Sequence, residues 1–233
     1  MRVLVTRPEP DASRTAALLE SRGHRAVVDP ALFVDLIPAE RPSGNFAAVA
    51  VTSATAVRAA QTNVDLDPLR ALPLYAVGRR TAEAAREAGF RQVHDAAGDA
   101  AALARLLSAS LAPGSRALHL AGEDRARDLG PLVASAKIEV EVLVLYRMIR
   151  AERLNAVAPA LSAGDVDAAL HYSVRSAEAF AMLAEQAGLS GAVKNLRHIC
   201  LSQAVAAPLA ARNWRVEVAP EPDEAMLLDL LGR

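Results

Sequence analysis

Small polar residues and glycines follow apolar segments of this chain at five corners where a helix is expected to begin: Ser53, Gly78, Gly122, Ser173 and Ser202. At the carboxyl end of a parallel strand, the next helix presents unpaired N–H groups and the positive end of its dipole, which attract anions. Small residues let a ligand approach the backbone closely. The pattern predicts an anion-binding site. The alternative is that Ser53 and Ser173 are ordinary N-caps and that Gly78 only permits a tight turn.

Three further side chains near these corners have the chemistry to pair with a carboxylate. Arg7 follows the first apolar segment, while Thr81 and Arg125 each follow one of the glycine corners. Because a guanidinium forms strong charge-assisted hydrogen bonds with carboxylates, both arginines are predicted to bind the anion. The alternatives are a solvated surface charge for Arg7 and a helix cap for Thr81. His119 and His171 are interpreted as strand residues rather than acid–base groups.

An internal duplication relates the corners to one another. Three pairs of segments share an apolar run that leads into a helix: 51–57 with 171–177, 76–85 with 200–209 and, more weakly, 3–8 with 117–122. A repeat of this size indicates two similar lobes and suggests a ligand held between the lobes. The alternative is a single doubly wound sheet whose self-similarity comes only from its alanines.

Composition narrows the class of protein. The chain has 233 residues and is 52% hydrophobic but only 3% aromatic, which favours helices packed on parallel strands over a β-sandwich. With 26 basic and 27 acidic residues, the balance of charge argues against nucleic-acid binding. The single Cys200 excludes an internal disulfide and offers no metal-cluster spacing. No apolar run approaches a membrane span, and the first residues resemble a strand rather than a signal peptide, so a cytoplasmic protein is expected.

Short apolar segments alternate with Ala-rich periodic segments along the whole chain, which predicts parallel sheets with helices on both faces. The predicted helices include 11–21, 100–110, 125–136 and 154–163. Asp99 is predicted to cap the second of these helices.

Two extended stretches, near 31–38 and 142–150, interrupt the alternation and are predicted to be linker strands. Such a linker would make the first lobe discontinuous, with residues 1–35 plus 151–233, and would leave 36–150 as the second lobe. Each lobe would then contain one copy of the duplicated set. The predicted fold class is therefore α/β, with two similar flavodoxin-like lobes joined by a two-stranded β linker.

The order and spacing of several motifs along nearly the whole chain resemble the uroporphyrinogen-III synthase family. The stretches that carry the resemblance are 3–8 (VLVTRP), 49–53 (VAVTS) with 56–57 (AV), 76–78 (AVG) with 81–82 (TA), 118–122 (LHLAG), 142–147 (VLVLYR) and 170–173 (LHYS). The resemblance implies a monomeric enzyme without a cofactor, built from two α/β lobes joined by a two-stranded linker. No His-x-x-x-His motif or carboxylate cluster stands out, so no metal is expected.

The implied substrate is hydroxymethylbilane, a linear tetrapyrrole whose rings carry acetate and propionate groups. The implied reaction removes the terminal hydroxyl, inverts ring D through a spiro intermediate and closes the macrocycle as the III isomer. By the resemblance, Tyr146 lies beside the cleft and assists departure of the hydroxyl, with packing of the linker as its alternative role. The predicted substrate-binding residues are Arg7, Thr52, Ser53, Gly78, Thr81, Gly122, Arg125, Ser173, Ser202 and Gln203.

One corner departs from the family pattern. Where the family often carries a Gly-Pro-Thr-Thr-like turn, this chain has Ser202-Gln203-Ala204-Val205, so no role of the threonine hydroxyls carries over. Ser202, Gln203 and the backbone N–H groups remain as hydrogen-bond donors. The rival functions are a non-catalytic two-lobed binder of an anionic metabolite and a nucleotide enzyme. The nucleotide enzyme is disfavoured because no glycine-rich phosphate loop is present.

Overall fold

The protein alternates short strands with helices, as the sequence predicts. The computed structural model describes residues 1–125 and 127–232. The strands are β1 Arg2–Val5, β2 Arg25–Val28, β3 Leu32–Leu36, β4 Ala48–Val51, β5 Leu74–Ala76, β6 Val93–Asp95, β7 Arg116–Gly122, β8 Glu139–Arg150, β9 Ala168–His171, β10 Arg197–Cys200 and β11 Val216–Val218. The α-helices are α1 Asp11–Ser21, α2 Ala54–Asn63, α3 Asp67–Arg70, α4 Arg79–Glu87, α5 Ala100–Ser110, α6 Leu129–Val133, α7 Ala158–Ser162, α8 Val174–Gln186, α9 Ser190–Lys194, α10 Gln203–Ala210 and α11 Glu224–Asp229.

The strands form two sheets. The first has the order β11-β10-β9-β1-β2, and the second has the order β3-β8-β7-β4-β5-β6. Every neighbouring pair in the first sheet is parallel, as are the pairs from β8 to β6 in the second sheet. The prediction of an α/β fold with parallel sheets and flanking helices is therefore confirmed. By proximity of Cα atoms the chain forms two compact units, Met1–Phe33 with Ile149–Arg233, and Val34–Met148.

Strand residues are buried on both faces of the second sheet, as expected when helices cover a parallel sheet. Along β4, Val49 and Val51 belong to one apolar cluster, which also contains Leu118 and Leu120 of β7. The intervening alanines of β4 belong to the cluster on the opposite face. Because side chains alternate along a strand, adjacent residues at the end of β4 are directed to opposite faces.

The first sheet is buried in the same manner. Val3, Val5, Leu170 and Ile199 form one cluster with apolar residues of α1 and α11, and all four are fully buried. Small side chains dominate both cores, which accounts for the low aromatic content of the sequence.

Side-chain caps begin several of the helices. Oxygens of Ser53, Asp99, Ser173 and Ser202 accept hydrogen bonds from backbone N–H groups in the first turns of α2, α5, α8 and α10. Such a cap stabilises a helix by about 1 kcal/mol. The predicted bounds of α1 and α5 agree with the structure.

Two helix predictions were too long. The segment 125–136 forms α6 from Leu129 only, followed by a short 3-10 turn at Ala134–Ala136, and Ala126 lies outside the described residues. The segment 154–163 forms only α7. In each case a proline within the segment, Pro131 or Pro159, lies in the first turn of the observed helix, where its missing N–H costs no intrahelical bond. The short helices α3 and α9 were not predicted.

Within residues 1–125 and 127–232, no helix combines the length and the apolar character that a membrane crossing requires.

Candidate active site at the strand ends

The carboxyl edge of the second sheet brings together a serine and a tyrosine from distant parts of the chain. The hydroxyl of Ser53, which follows β4, lies 3.0 Å from the hydroxyl of Tyr146 on β8. The same Ser53 oxygen accepts a hydrogen bond of 3.0 Å from the N–H of Ala56 at the start of α2. Ser53 is therefore a helix cap and a partner of the tyrosine at the same time.

Gly122 at the end of β7 makes room for the tyrosine ring. A Cβ atom placed on Gly122 would lie 2.7 Å from Cζ and 3.0 Å from the hydroxyl oxygen of Tyr146. The pairing of β7 with β8 shifts between Ala121 and Gly122, so that Tyr146 is the partner of Gly122. Such an irregularity redirects a strand side chain. The requirement for glycine here comes from close approach to a side chain.

A second polar pair lies beside the first. Thr52 Oγ1 lies 3.2 Å from Nε2 of His119, which is completely buried on β7. Burial, with a further contribution from Arg125, lowers the pKa of His119 to about 4, and Asp128 opposes this change. The imidazole is therefore neutral at pH 7. Thr52 and Ser53 are consecutive, yet they bond to different partners, His119 and Tyr146.

Other predicted residues of the second unit lie at the same strand ends. Gly78 precedes α4 and has no side chain that could cap this helix, and no described residue other than its chain neighbours lies within 4 Å of a Cβ atom placed on it. Thr81 is buried in the first turn of α4. Arg125 donates hydrogen bonds to the carbonyls of Gly122 and Glu123 and pairs with Asp128 at 2.9 Å. These bonds hold the Arg125 guanidinium against the end of β7.

The first unit has its own set of strand-end residues. Ser173 follows β9 and accepts from the N–H of Ser176 at 3.1 Å, while Ser202 follows β10 and accepts from the N–H of Val205 at 3.4 Å. Gln203 is exposed at the first position of α10. Ser53, Ser173 and Ser202 are thus all helix caps, which was the alternative interpretation of Ser53 and Ser173.

Arg7 is buried in the first unit, so its alternative interpretation as a solvated surface charge is wrong. Its side chain is only 7% exposed and lies 2.9 Å from Glu224 Oε1 and 3.4 Å from Asp11 Oδ2. It also donates to the hydroxyl of Thr15, and its guanidinium carbon lies 3.9 Å from the ring centre of Tyr172. The carboxylates that neutralise Arg7 belong to the protein itself.

Two buried histidines of the first unit form a chain that sequence analysis did not connect. Nε2 of His198 lies 2.9 Å from the carbonyl of Val193, which can only accept, so this nitrogen carries the proton. Nδ1 of neutral His198 then accepts from Nε2 of His171, 3.0 Å away. Burial lowers the pKa of His198 to about 4 and that of His171 well below its usual value. These histidines belong to the core, in agreement with the interpretation of His171 as a strand residue.

The pairing of Thr52 with His119 was likewise not predicted from the sequence. A signal was present, since a histidine in an otherwise apolar strand must find a polar partner or remain unsatisfied. In the part of the chain that the structure describes, no group of three or more His, Cys, Asp or Glu residues could hold a metal ion.

The fold and the strand-end residues define a class: an α/β protein of parallel sheets with capping serines and one tyrosine packed on glycine. The family model described as uroporphyrinogen-III synthase HemD matches residues 13–229. The chain therefore belongs to the uroporphyrinogen-III synthase family, which functions in tetrapyrrole biosynthesis.

Solved structures share the fold. Uroporphyrinogen-III synthetase from Helicobacter pylori is 18% identical, with a TM-score of 0.69 over 99% of this chain and 98% of that one. A mutant uroporphyrinogen III synthase from Thermus thermophilus is 19% identical, with a TM-score of 0.57 over 100% of this chain and 96% of that one. No curated protein matches the chain by sequence.

Proposed function

We propose that this chain cyclises hydroxymethylbilane with inversion of ring D, releases water and forms uroporphyrinogen III. Membership of the family supports the reaction. The observation that carries the assignment of its chemistry is the hydroxyl pair of Ser53 and Tyr146, 3.0 Å apart at the carboxyl edge of a parallel sheet. In open α/β sheets, ligands bind beyond this edge.

The task of the protein follows from the chemistry of the substrate. Loss of the terminal hydroxyl leaves an azafulvenium-like cation. When the substituted carbon of ring D attacks this cation, the spiro intermediate forms and leads to the III isomer. Attack at the free position gives isomer I and needs no enzyme. Catalysis must therefore hold the chain in the conformation for the less favoured attack and stabilise the cation.

Tyr146 is the proposed donor to the departing hydroxyl. Since Ser53 Oγ already accepts from the N–H of Ala56, its own proton can be donated to the oxygen of Tyr146. The proton of Tyr146 then points to the substrate, and donation from Ser53 strengthens its acidity. The hydroxyl leaves as water when a proton is supplied in this manner.

The substrate carboxylates require many hydrogen-bond donors. The proposed donors are side chains and backbone N–H groups at the strand ends of both units: Thr52, Ser53, Gly78, Thr81, Gly122, Arg125, Ser173, Ser202 and Gln203. Helix N-termini at these corners favour negative charge. Arg7 was predicted to bind a carboxylate directly. Because its guanidinium is buried against Glu224 and Asp11, we assign it the role of fixing the start of α1.

We further propose that the two compact units are the two similar lobes of the family fold. In support of this, the first sheet reads β11-β10-β9-β1-β2, and five strands of the second read β6-β5-β4-β7-β8 in the corresponding order. The corners at Ser53 and Ser173 then occupy the same strand position in their sheets. The boundaries between the units fall within β3 and β8, which we propose as the linker.

We propose that the enzyme is a hydro-lyase that acts without a cofactor, as a cytoplasmic monomer that binds no nucleic acid. The family resemblance supports the absence of a cofactor and the monomeric state. The balanced charge of the chain supports the absence of nucleic-acid binding. Size-exclusion chromatography with light scattering tests the monomer, since a dimer would elute at twice the mass of 24.5 kDa.

A coupled assay tests the proposed reaction. Hydroxymethylbilane is generated in situ with and without the protein, and the porphyrin isomers are separated after oxidation. We expect the product to change from isomer I to isomer III. Isomer I alone, from protein with a cooperative unfolding transition, would contradict the enzyme assignment and favour a non-catalytic binder of an anionic metabolite.

A further inference from the structure

His119 is a polar residue within the mostly apolar strand β7 of the second unit. Its neighbours Leu118 and Leu120 belong to the cluster on one face of the sheet, so the alternation of β7 directs His119 to the other face with Ala117. There it is fully buried, and no described residue forms a hydrogen bond with its Nδ1 atom. Within residues 1–125 and 127–232, the hydrogen bond that this ring forms is the one between Nε2 and Thr52 Oγ1, at 3.2 Å.

The missing partner at Nδ1 distinguishes the two neutral forms of the ring. With the proton on Nδ1, a buried N–H group would have no acceptor, and such groups are rare in proteins. With the proton on Nε2, this N–H donates to Thr52 Oγ1, and only a lone pair is left unsatisfied. Since burial lowers the pKa of His119 to about 4, the ring is neutral near pH 7 and only one of its nitrogens carries a proton.

A donating Nε2 has a consequence for Thr52. When the threonine oxygen accepts from His119, its own proton cannot point to that ring and is directed to another acceptor. Thr52 is half-buried at the carboxyl end of β4, next to Ser53. Its hydroxyl therefore offers a donor at the strand ends.

We propose that His119 is a positioning residue, which donates from Nε2 to Thr52 and thereby orients the threonine hydroxyl as a donor to a carboxylate of the substrate. The ligand part of this inference rests on the proposed function. The tautomer of His119 does not depend on it and can be measured separately.

The first experiment determines the tautomer without any substrate. Long-range 1H–15N correlation spectra of the 15N-labelled full-length protein distinguish a protonated from an unprotonated ring nitrogen, and His119→Gln identifies the signal. We expect protonated Nε2 and unprotonated Nδ1 at pH 7.5, unchanged at pH 5.5. A protonated Nδ1 would overturn the inference, whatever the protein catalyses.

The second experiment separates positioning from general support of the fold. Thr52→Val, which keeps the shape but removes the hydroxyl, is expected to raise KM about tenfold with little change in kcat, since it removes one hydrogen bond to a charged group. His119→Phe is expected to raise KM by about threefold to tenfold through the same hydroxyl. His119→Gln, whose amide N–H reaches a similar position, should restore most of the loss.

The double variant gives the sharpest result. In the Thr52→Val protein, His119→Phe should have no further effect on KM, because both changes remove the same donor. Effects that multiply, a loss confined to kcat, or a failure of His119→Gln to restore KM would each contradict a role through Thr52. If the wild-type protein forms no isomer III, both the proposed function and the proposed contact of Thr52 with the substrate are contradicted. The spectra would still determine the tautomer of His119.

Discussion

The hydroxyls of Ser53 and Tyr146 lie 3.0 Å apart, although 93 positions separate the two residues in the sequence. The contact joins the N-cap residue of α2 to the strand β8, and Gly122 packs closely against one side of the tyrosine ring. Ser53 also accepts a hydrogen bond from the N–H of Ala56. A substitution of Ser53, Gly122 or Tyr146 should therefore remove or reorient the Tyr146 hydroxyl.

Tyr146→Phe should slow formation of isomer III by about 10²-fold without abolishing it, because one proton donor is lost while substrate orientation is retained. Single-turnover measurement with separation of isomers gives the rate. Tyr75→Phe is the matched control, since Tyr75 is buried on the opposite face of the sheet. Complete loss in a folded Tyr146→Phe protein, or an unchanged rate, would argue against the proposed role.

Ser53→Ala should have two effects. Loss of the cap should lower the free energy of unfolding by about 1 kcal/mol, and loss of the bond to Tyr146 should lower kcat. Asp99→Ala removes a comparable cap, at the start of α5, and should lower stability by a similar amount while leaving kcat unchanged. Urea unfolding and isomer assays on both proteins measure the difference. Equal kcat values in the two variants would show that Ser53 is only a cap.

Gly122→Ala should displace the tyrosine ring, since the new methyl group would lie 2.7 Å from its Cζ atom. Overpacking of this kind lowers stability by about 1–3 kcal/mol, and activity should fall at least as far as in Tyr146→Phe. Gly191→Ala on α9 is the control, and wild-type behaviour is expected because no described residue beyond its chain neighbours and the backbone of its own helix lies within 4 Å of the added atom. A crystal structure of Gly122→Ala with an unmoved ring would refute the steric argument.

The buried histidines should make the protein sensitive to acid. Folding depresses the pKa values of His119 and His198 from 6.5 to about 4, so the unfolded chain binds more protons between these pH values. Stability is therefore complete above about pH 6.5 and is lost as pH falls to 4. At pH 5 the loss should be on the order of 1–2 kcal/mol for each histidine.

Urea unfolding at pH 7.5, 6.0 and 5.0 measures this dependence. His198→Phe should flatten it, because the variant has one buried group fewer to protonate. His94→Gln changes an exposed histidine and should keep the wild-type slope. Equal slopes in all three proteins would show that His198 does not contribute.

Arg7→Met should destabilise the first unit strongly, since it leaves Glu224 and Asp11 without their buried partner. Removal of one member of a buried ion pair costs about 3–5 kcal/mol. Arg14 pairs with the same Glu224 but is 45% exposed, so Arg14→Met should cost less than about 1 kcal/mol. Chemical unfolding compares the two variants. Similar losses would mean that the burial of Arg7 has little energetic importance.

Much of the fold could be predicted because the signals are local. Alternation of apolar runs with Ala-rich segments specified the parallel α/β architecture, and the cap at Asp99 gave the start of α5 correctly. The errors fell on 125–136 and 154–163, where Pro131 and Pro159 lie and only short helices form. Helix bounds depend on a few neighbouring residues, so the sequence contains most of the information.

The sequence by itself determined which residues stand at strand ends, because the position of a small residue after an apolar run is a property of neighbouring residues. It did not determine which of those residues meet. The strand order places β7 between β4 and β8, and a shift in register at Gly122 makes Tyr146 its partner. Only the tertiary structure decided that Thr52 pairs with His119 and that Arg7 is neutralised internally by Glu224. The physical reason is that hydrogen-bond partners and burial depend on residues that are distant in the chain and become neighbours only when the sheets assemble.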